Sequence, residues 1–157
     1  MLKIMNMQYL SQEKYNELEK ELEEIKNNKI PEIAKKIDEA RQQGDLSENA
    51  EYHAAREEMA WVKGKKIEIS KILDEAEIVS HNNKSNKIEI GSKIVIEKNG
   101  EEKKEYEIVG VQEADPFQGK ISNESPLGSA FLGRSNGDEL ELKLANKIQK
   151  FKILSVN

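Results

Sequence analysis

Apolar residues recur at Tyr15, Leu18, Leu22 and Ile25, a 3-4-3 spacing that lines one helical face and makes a coiled-coil seam. Leu10-Ser11-Gln12-Glu13 precedes them, with Ser11 in the N-cap position and an acidic residue in the first turn. The next apolar step, from Ile25 to Ile30, is five residues, so the register breaks just before Pro31. Pro31 lacks a backbone donor and crowds the preceding turn, and a kink is expected there. Ile33, Ile37 and Ala40 resume the seam, and Gly44 supplies the helix stop. A second helix is expected from near Asp45 to about Val79, with Leu46, Ala50, Ala54, Trp61, Val62, Ile69, Leu73 and Ala76 along its seam. The connection is too short for anything but an antiparallel return. Arms of roughly 30 residues, at about 1.5 Å each, would hold the turn on the order of 45 Å from the base of the pair.

Beyond the helices the period switches to two. Ile88/Ile90, Ile94/Ile96, Tyr106/Ile108, Leu140/Leu142/Leu144 and Phe151/Ile153 alternate as half-buried strands, and Asn99-Gly100 is a hairpin signal. Ser125-Pro126-Leu127 opens a short helix that Gly133 closes. The expected architecture is α+β: an antiparallel coiled-coil hairpin over 1–80 with an acidic tip at 44–49, a polar linker at 81–86, and a small antiparallel sheet with one short helix over 87–157.

Composition agrees with that division. Hydrophobic residues make up 36% of the chain and charged residues 35%, too lean for one large core but suited to a coiled coil beside a small sheet domain. There is no cysteine, and with it no disulfide framework or thiolate metal site. No apolar run is long enough to span a membrane and no signal pattern opens the chain, so a soluble cytoplasmic protein is expected. Residues 1–79 hold 13 Lys and Arg against 18 Asp and Glu, and residues 80–157 hold 12 against 12. A protein that wraps bare nucleic acid carries a basic excess, so this balance favours a protein partner.

The candidate chemistry sits in Gly44-Asp45-Leu46-Ser47-Glu48-Asn49. Asp45-x-x-Glu48 has the layout of a capping box, worth about 1 kcal/mol and needing no function. The same carboxylates, kept ionised near a helix N-terminus, suit Mg²⁺ as oxygen ligands. Two carboxylates leave a six-coordinate ion incomplete, and another molecule would have to supply the rest. Both roles are compatible. His53 and His81 lack a second ligand at metal spacing and read as ordinary histidines. The glycines at 119, 128, 133 and 137 form no phosphate-binding fingerprint, and no serine sits in a nucleophile elbow. Lys26, Lys29, Lys35 and Lys36 form either a basic strip or a solvated face.

The stretch Glu39-Ala-Arg-Gln-Gln-Gly-Asp-Leu-Ser-Glu-Asn-Ala-Glu-Tyr-His-Ala-Ala-Arg-Glu-Glu58 closely resembles the tip motif of the bacterial Gre transcript cleavage factors. Asp115-Pro116-Phe117, Ile121 through Gly133 and Gly137-Asp138 resemble that family's C-terminal signature. The resemblance covers nearly the whole chain from about Tyr9. It implies an FKBP-like second domain that docks at the rim of the RNA polymerase secondary channel, and a coiled coil that enters the channel. It also implies a transcription elongation factor, associated with DNA binding, that is not itself an enzyme. Such a factor stimulates the polymerase's own Mg-dependent cleavage of backtracked nascent RNA. By match Asp45 and Glu48 are the tip acids, with Asp45 helping to hold a shared Mg²⁺ and Glu48 orienting or deprotonating the attacking water. Arg41, Asn49 and Arg56 match positions expected to contact RNA or polymerase near the tip. Ser122, Ser125 and Pro126 lie in the docking segment. The lysine strip and the acidic first half favour the A type over the B type, and the isolated chain is expected to be a monomer. Where many relatives carry a Pro-Gly-Gly-type turn, this chain reads Leu144-Ala145-Asn146-Lys147. Three other readings stay open: a family member that blocks the channel without cleavage, a prolyl isomerase suggested by the second domain's fold, and a plain coiled-coil adaptor. Against the isomerase, Tyr106, Phe117, Phe131 and Phe151 read as core residues.

Overall fold

The computed structural model describes residues 7–80 and 85–157. The linker expected at 81–86 and His81 therefore lie wholly or mostly outside the described residues. The chain forms two compact units, one of Tyr15–Glu75 and the other of the segment up to Lys14 with Ala76–Asn157. The division falls at Lys14 and Glu75 because β1 (Gln8–Leu10) pairs in parallel with β2 (Ala76–Ile78). Parallel neighbours need a long crossover. Here the whole helical hairpin is that connection.

The first arm runs through α1 (Gln12–Glu24), a π-helical turn over Ile25–Lys29, and α2 (Ile30–Arg41). The Ile30 N–H donates to the Ile25 carbonyl, an i to i+5 bond. This turn absorbs the five-residue step: the extra residue keeps Ile25 and Ile33 on the buried face. Pro31 sits in the first turn of α2. Its missing donor and its clash with the carbonyl four residues back are met by that wider turn.

The returning helix α3 (Ala50–Asp74) has 25 residues, about 37 Å of helix, shorter than the expected arm. It starts at Ala50 rather than near Asp45. Its buried positions are Tyr52, Ala55, Val62, Ile69 and Ile72, whereas Leu46, Ala50, Ala54 and Trp61 are exposed. Val62 and Ile69 of the expected seam are buried as expected; its earlier positions are out of phase because Leu46 lies in the turn, not in the helix. Counted from Tyr52, the heptad spacing is regular.

In the second unit β3 (Lys93–Lys98), β4 (Glu102–Val109), β5 (Lys120–Ser122), β6 (Glu139–Leu144) and β7 (Lys147–Val156) form one sheet in the order β5-β4-β3-β7-β6. All neighbours are antiparallel except β4 and β5, which are parallel. Asn99 and Gly100, both at positive φ, turn the chain in the three-residue connection between β3 and β4. Short helix α4 (Pro126–Phe131) lays Phe131 into the core. There Phe131 meets Phe151 edge to face, 5.7 Å between ring centres, among Ile88, Ile94, Ile96, Ile108, Leu140 and Ile153. Ile88 and Ile90 are not in a strand: Ile88 reaches the core from a loop whose Lys87 bridges Ser135. Phe117 is not core but fully exposed. It lies in the three-residue 3₁₀ turn Pro116–Gln118, which Asp115 caps at 3.1 Å and which is too short to reach the sheet's inner face.

Ser11 caps α1, its Oγ accepting from Lys14 N–H at 3.1 Å. The Ser11 N–H and hydroxyl both donate to the Glu113 carboxylate, at 2.9 and 2.6 Å. Glu113 thus fills the place that a capping box gives to a residue of the helix itself. Among the described residues no helix is long and apolar enough to cross a membrane.

Candidate functional site

The turn between α2 and α3 is organised by Asn49, not by Asp45. Asn49 is the N-cap of α3: its Oδ1 accepts from Tyr52 N–H at 3.0 Å. Its Nδ2 donates to the Ala40 carbonyl near the end of α2, at 2.7 Å. One side chain therefore satisfies an orphan donor of the second helix and adds a bond to a carbonyl at the end of the first, which also accepts from Gln43 N–H at 3.2 Å. That ties the two arms together directly beneath the turn.

Asp45 forms an Asx turn. Its Oδ1 accepts from Ser47 N–H at 3.0 Å and from Ser47 Oγ at 2.9 Å. The capping box expected of Asp45 and Glu48 does not form, because the chain needs the residues through Asn49 to complete the reversal. The Ser47 backbone N–H, and next its hydroxyl, hold the Asp45 carboxyl below the usual carboxylate range. Ionisation is thus favoured by a turn rather than by a helix terminus. Both bonds fall on Oδ1, leaving Oδ2 without a hydrogen-bond partner among the described residues. Asp45 and Glu48 are both exposed. The turn can offer a cation oxygen ligands, but it cannot enclose one: no cluster of three or more His, Asp or Glu suited to a metal occurs among the described residues.

Arg41 ends α2 and Arg56 lies in the second turn of α3. Their guanidinium carbons stand 5.8 and 5.7 Å from the centre of the Tyr52 ring. Tyr52 is buried and was not singled out from the sequence; its place one turn before Arg56 was the available signal. The Arg41 guanidinium beside the ring is the first cause holding the Tyr52 phenol below the ordinary tyrosine value. His53 is exposed and packs edge-on against the same ring.

The residues of the other expected site lie in the second unit, at the end of β5 and the start of α4. Ser125 caps α4, its Oγ accepting from Gly128 N–H at 3.0 Å and donating to the Ser122 carbonyl at 2.7 Å, with Pro126 in the first turn. Ser122 Oγ accepts from Glu124 N–H at 3.1 Å. A side chain at Gly128 would overlap the Ser122 carbonyl, so glycine keeps this turn closed.

Two family models cover nearly all of the chain: the N-terminal domain of a transcription elongation factor matches residues 8–78, and the GreA/GreB C-terminal domain matches residues 82–157. The chain belongs to the GreA/GreB family of transcription elongation factors. It is 42% identical over 149 residues to the transcription elongation factor GreA of Thermotoga petrophila, covering 94% of this chain and 95% of that one. It is 44% identical over 138 residues to the GreA of Macrococcus caseolyticus, 87% of each chain. Solved structures that match include the GreA factor homolog Gfh1 of Thermus thermophilus, at 26% identity and a TM-score of 0.45, over 97% of this chain and 99% of that one. A GreA/GreB factor from Nitrosomonas europaea matches at 24% identity and a TM-score of 0.42, over 58% and 78%. As a GreA/GreB member, the protein acts on RNA polymerase through its secondary channel and stimulates transcript cleavage.

Proposed function

We propose that the protein places the Asp45–Glu48 turn at the polymerase active centre, where the turn completes a metal site for hydrolysis of backtracked nascent RNA. The observation that carries this reading is the exposed Asx turn, with its depressed Asp45 carboxyl, at the junction of the two helical arms. Two-metal phosphodiester hydrolysis needs a second Mg²⁺ and an activated water. Asp45, held ionised by its Ser47 bonds, would be the residue to hold a Mg²⁺ shared with the polymerase, and that ion would supply Lewis-acid activation of the phosphodiester. Glu48 orients the attacking water or takes its proton. Arg41, Asn49 and Arg56 face the RNA or polymerase walls. The segment of Ser122, Ser125 and Pro126 docks at the channel rim, held rigid by the cap of α4.

The test is purified RNA polymerase stalled in a backtracked state with Mg²⁺, with and without the protein. Wild type shortens the RNA from its 3′ end. Asp45→Ala binds the polymerase equally well and leaves cleavage near the unassisted rate. A variant that binds and cleaves like wild type refutes the assignment of the tip.

A further inference from the structure

We propose that Tyr52 is a positioning residue that gathers Arg41 and Arg56 into one paired cation beside the acidic turn, shaped to take a phosphodiester of single-stranded RNA. The proposal rests on the reading that the tip meets nascent RNA, and it names what organises the basic side of that tip.

Arg41 and Arg56 come from opposite arms, and two like charges have no reason of their own to converge. Their shared neighbour is the Tyr52 ring, with both guanidinium carbons within 6 Å of its centre. The negative face of an aromatic ring attracts a cation, and the phenolic oxygen adds an acceptor. The depressed phenol, with Arg41 as first cause and Arg56 contributing, agrees with this geometry. Tyr52 is well placed to fix direction. It is buried, its N–H is held by Asn49, and Asn49 also holds the carbonyl of Ala40 next to Arg41. Backbone positions of the ring and of one arginine are thus set by the same side chain.

A guanidinium carries five N–H donors, more than one neighbouring ring can engage, and the remaining donors match phosphate oxygens in pairs. The competing carboxylate is Asp38, 3.7 Å from Arg41. Both partners of that ion pair are exposed, so it holds Arg41 weakly.

The test has two arms, both on the full chain. Phenol ionisation is followed by ultraviolet absorbance, with Tyr52→Phe subtracted to isolate Tyr52 from Tyr9, Tyr15 and Tyr106. Arg41→Gln and Arg56→Gln should each raise the Tyr52 midpoint; midpoints unmoved by either overturn the pairing. In the second arm, cleavage is measured on backtracked polymerase as a function of factor concentration. Tyr52→Phe keeps the ring and its packing, and should slow cleavage at saturation roughly 5-fold with the half-saturating concentration unchanged. The Tyr52→Phe, Arg41→Gln double variant should be no slower than Arg41→Gln alone. Losses that multiply independently, or that track a fall in melting temperature, mean that Tyr52 only packs, and overturn the proposal. A wild-type protein that fails to stimulate cleavage overturns the proposed function instead, and the phenol titration still decides the pairing on the protein alone.

Discussion

Replacing Asn49 tests how the tip is built. Asn49→Ala removes the cap on Tyr52 N–H and the bond to the Ala40 carbonyl. Loss of an asparagine cap costs about 1 kcal/mol. Loss of a part-buried hydrogen bond to a backbone carbonyl costs about another 1 kcal/mol. The sum, about 2 kcal/mol, corresponds to roughly a 30-fold rise in local opening. Amide hydrogen exchange reads this directly, because Tyr52 N–H bonds Asn49 Oδ1 and His53 N–H bonds the Asn49 carbonyl at 3.2 Å. Both amides should exchange faster by that order, while amides of β3 and β7 stay unchanged. Asn49→Asp separates the two bonds: it keeps the acceptor for the cap but sets an oxygen against the Ala40 carbonyl. It should therefore fall between wild type and the alanine variant. Exchange that rises less than about 3-fold in Asn49→Ala, or an aspartate variant equal to wild type, would refute the cross-arm role.

Other expectations follow from single positions. Ser47→Ala removes the hydroxyl but keeps the backbone N–H, so the Asp45 carboxyl midpoint, followed by carbon NMR, should rise yet stay below the ordinary aspartate value. Since the folded value is the lower one, the Asx turn's contribution is complete above the unfolded value. It is lost as pH falls through the folded value, so the turn should loosen only in acid. Ala145, at φ 48° in the two-residue β6–β7 turn, sits where an L side chain is strained; Ala145→Asn should stabilise the protein by about 1 kcal/mol in urea unfolding. Gly110→Ala would drive a methyl into the Tyr9 carbonyl, and should lower the melting temperature and speed exchange across Gln8–Leu10.

Period and punctuation carried much of the fold. The first seam, the Asn99-Gly100 hairpin, the Ser125-Pro126 cap and the strands around Ile94, Leu140 and Phe151 all stand where their residues put them. The missed and misplaced features have physical causes, some tertiary and some local. Three-residue strands such as Gln8–Leu10 and Ala76–Ile78 are too short to alternate visibly, and their pairing across the whole hairpin is a tertiary fact. Ser11 announced a cap, but its partner Glu113 lies 102 residues away. At the tip, Asp45, Asn49 and Ser47 are all good helix-start residues, and only backbone geometry chooses among them. Asn49 won because its amide reaches both arms, which an aspartate cannot do. Tyr52 stayed hidden behind its apolar ring, since a tyrosine at seam spacing reads as core, and it is core as well as neighbour to two cations. Phe117 failed the opposite way, an aromatic that the 3₁₀ turn turns outward.

Whether Asp45 holds a magnesium ion is read from the magnesium dependence of cleavage. With backtracked polymerase saturated by the factor, Asp45→Asn keeps the size and the Ser47 bonds of the side chain but weakens its oxygen as a metal ligand. The Mg²⁺ concentration for half-maximal cleavage should rise severalfold, and excess Mg²⁺ should restore part of the rate. An unchanged magnesium requirement, at any cleavage rate, would contradict a metal role for Asp45.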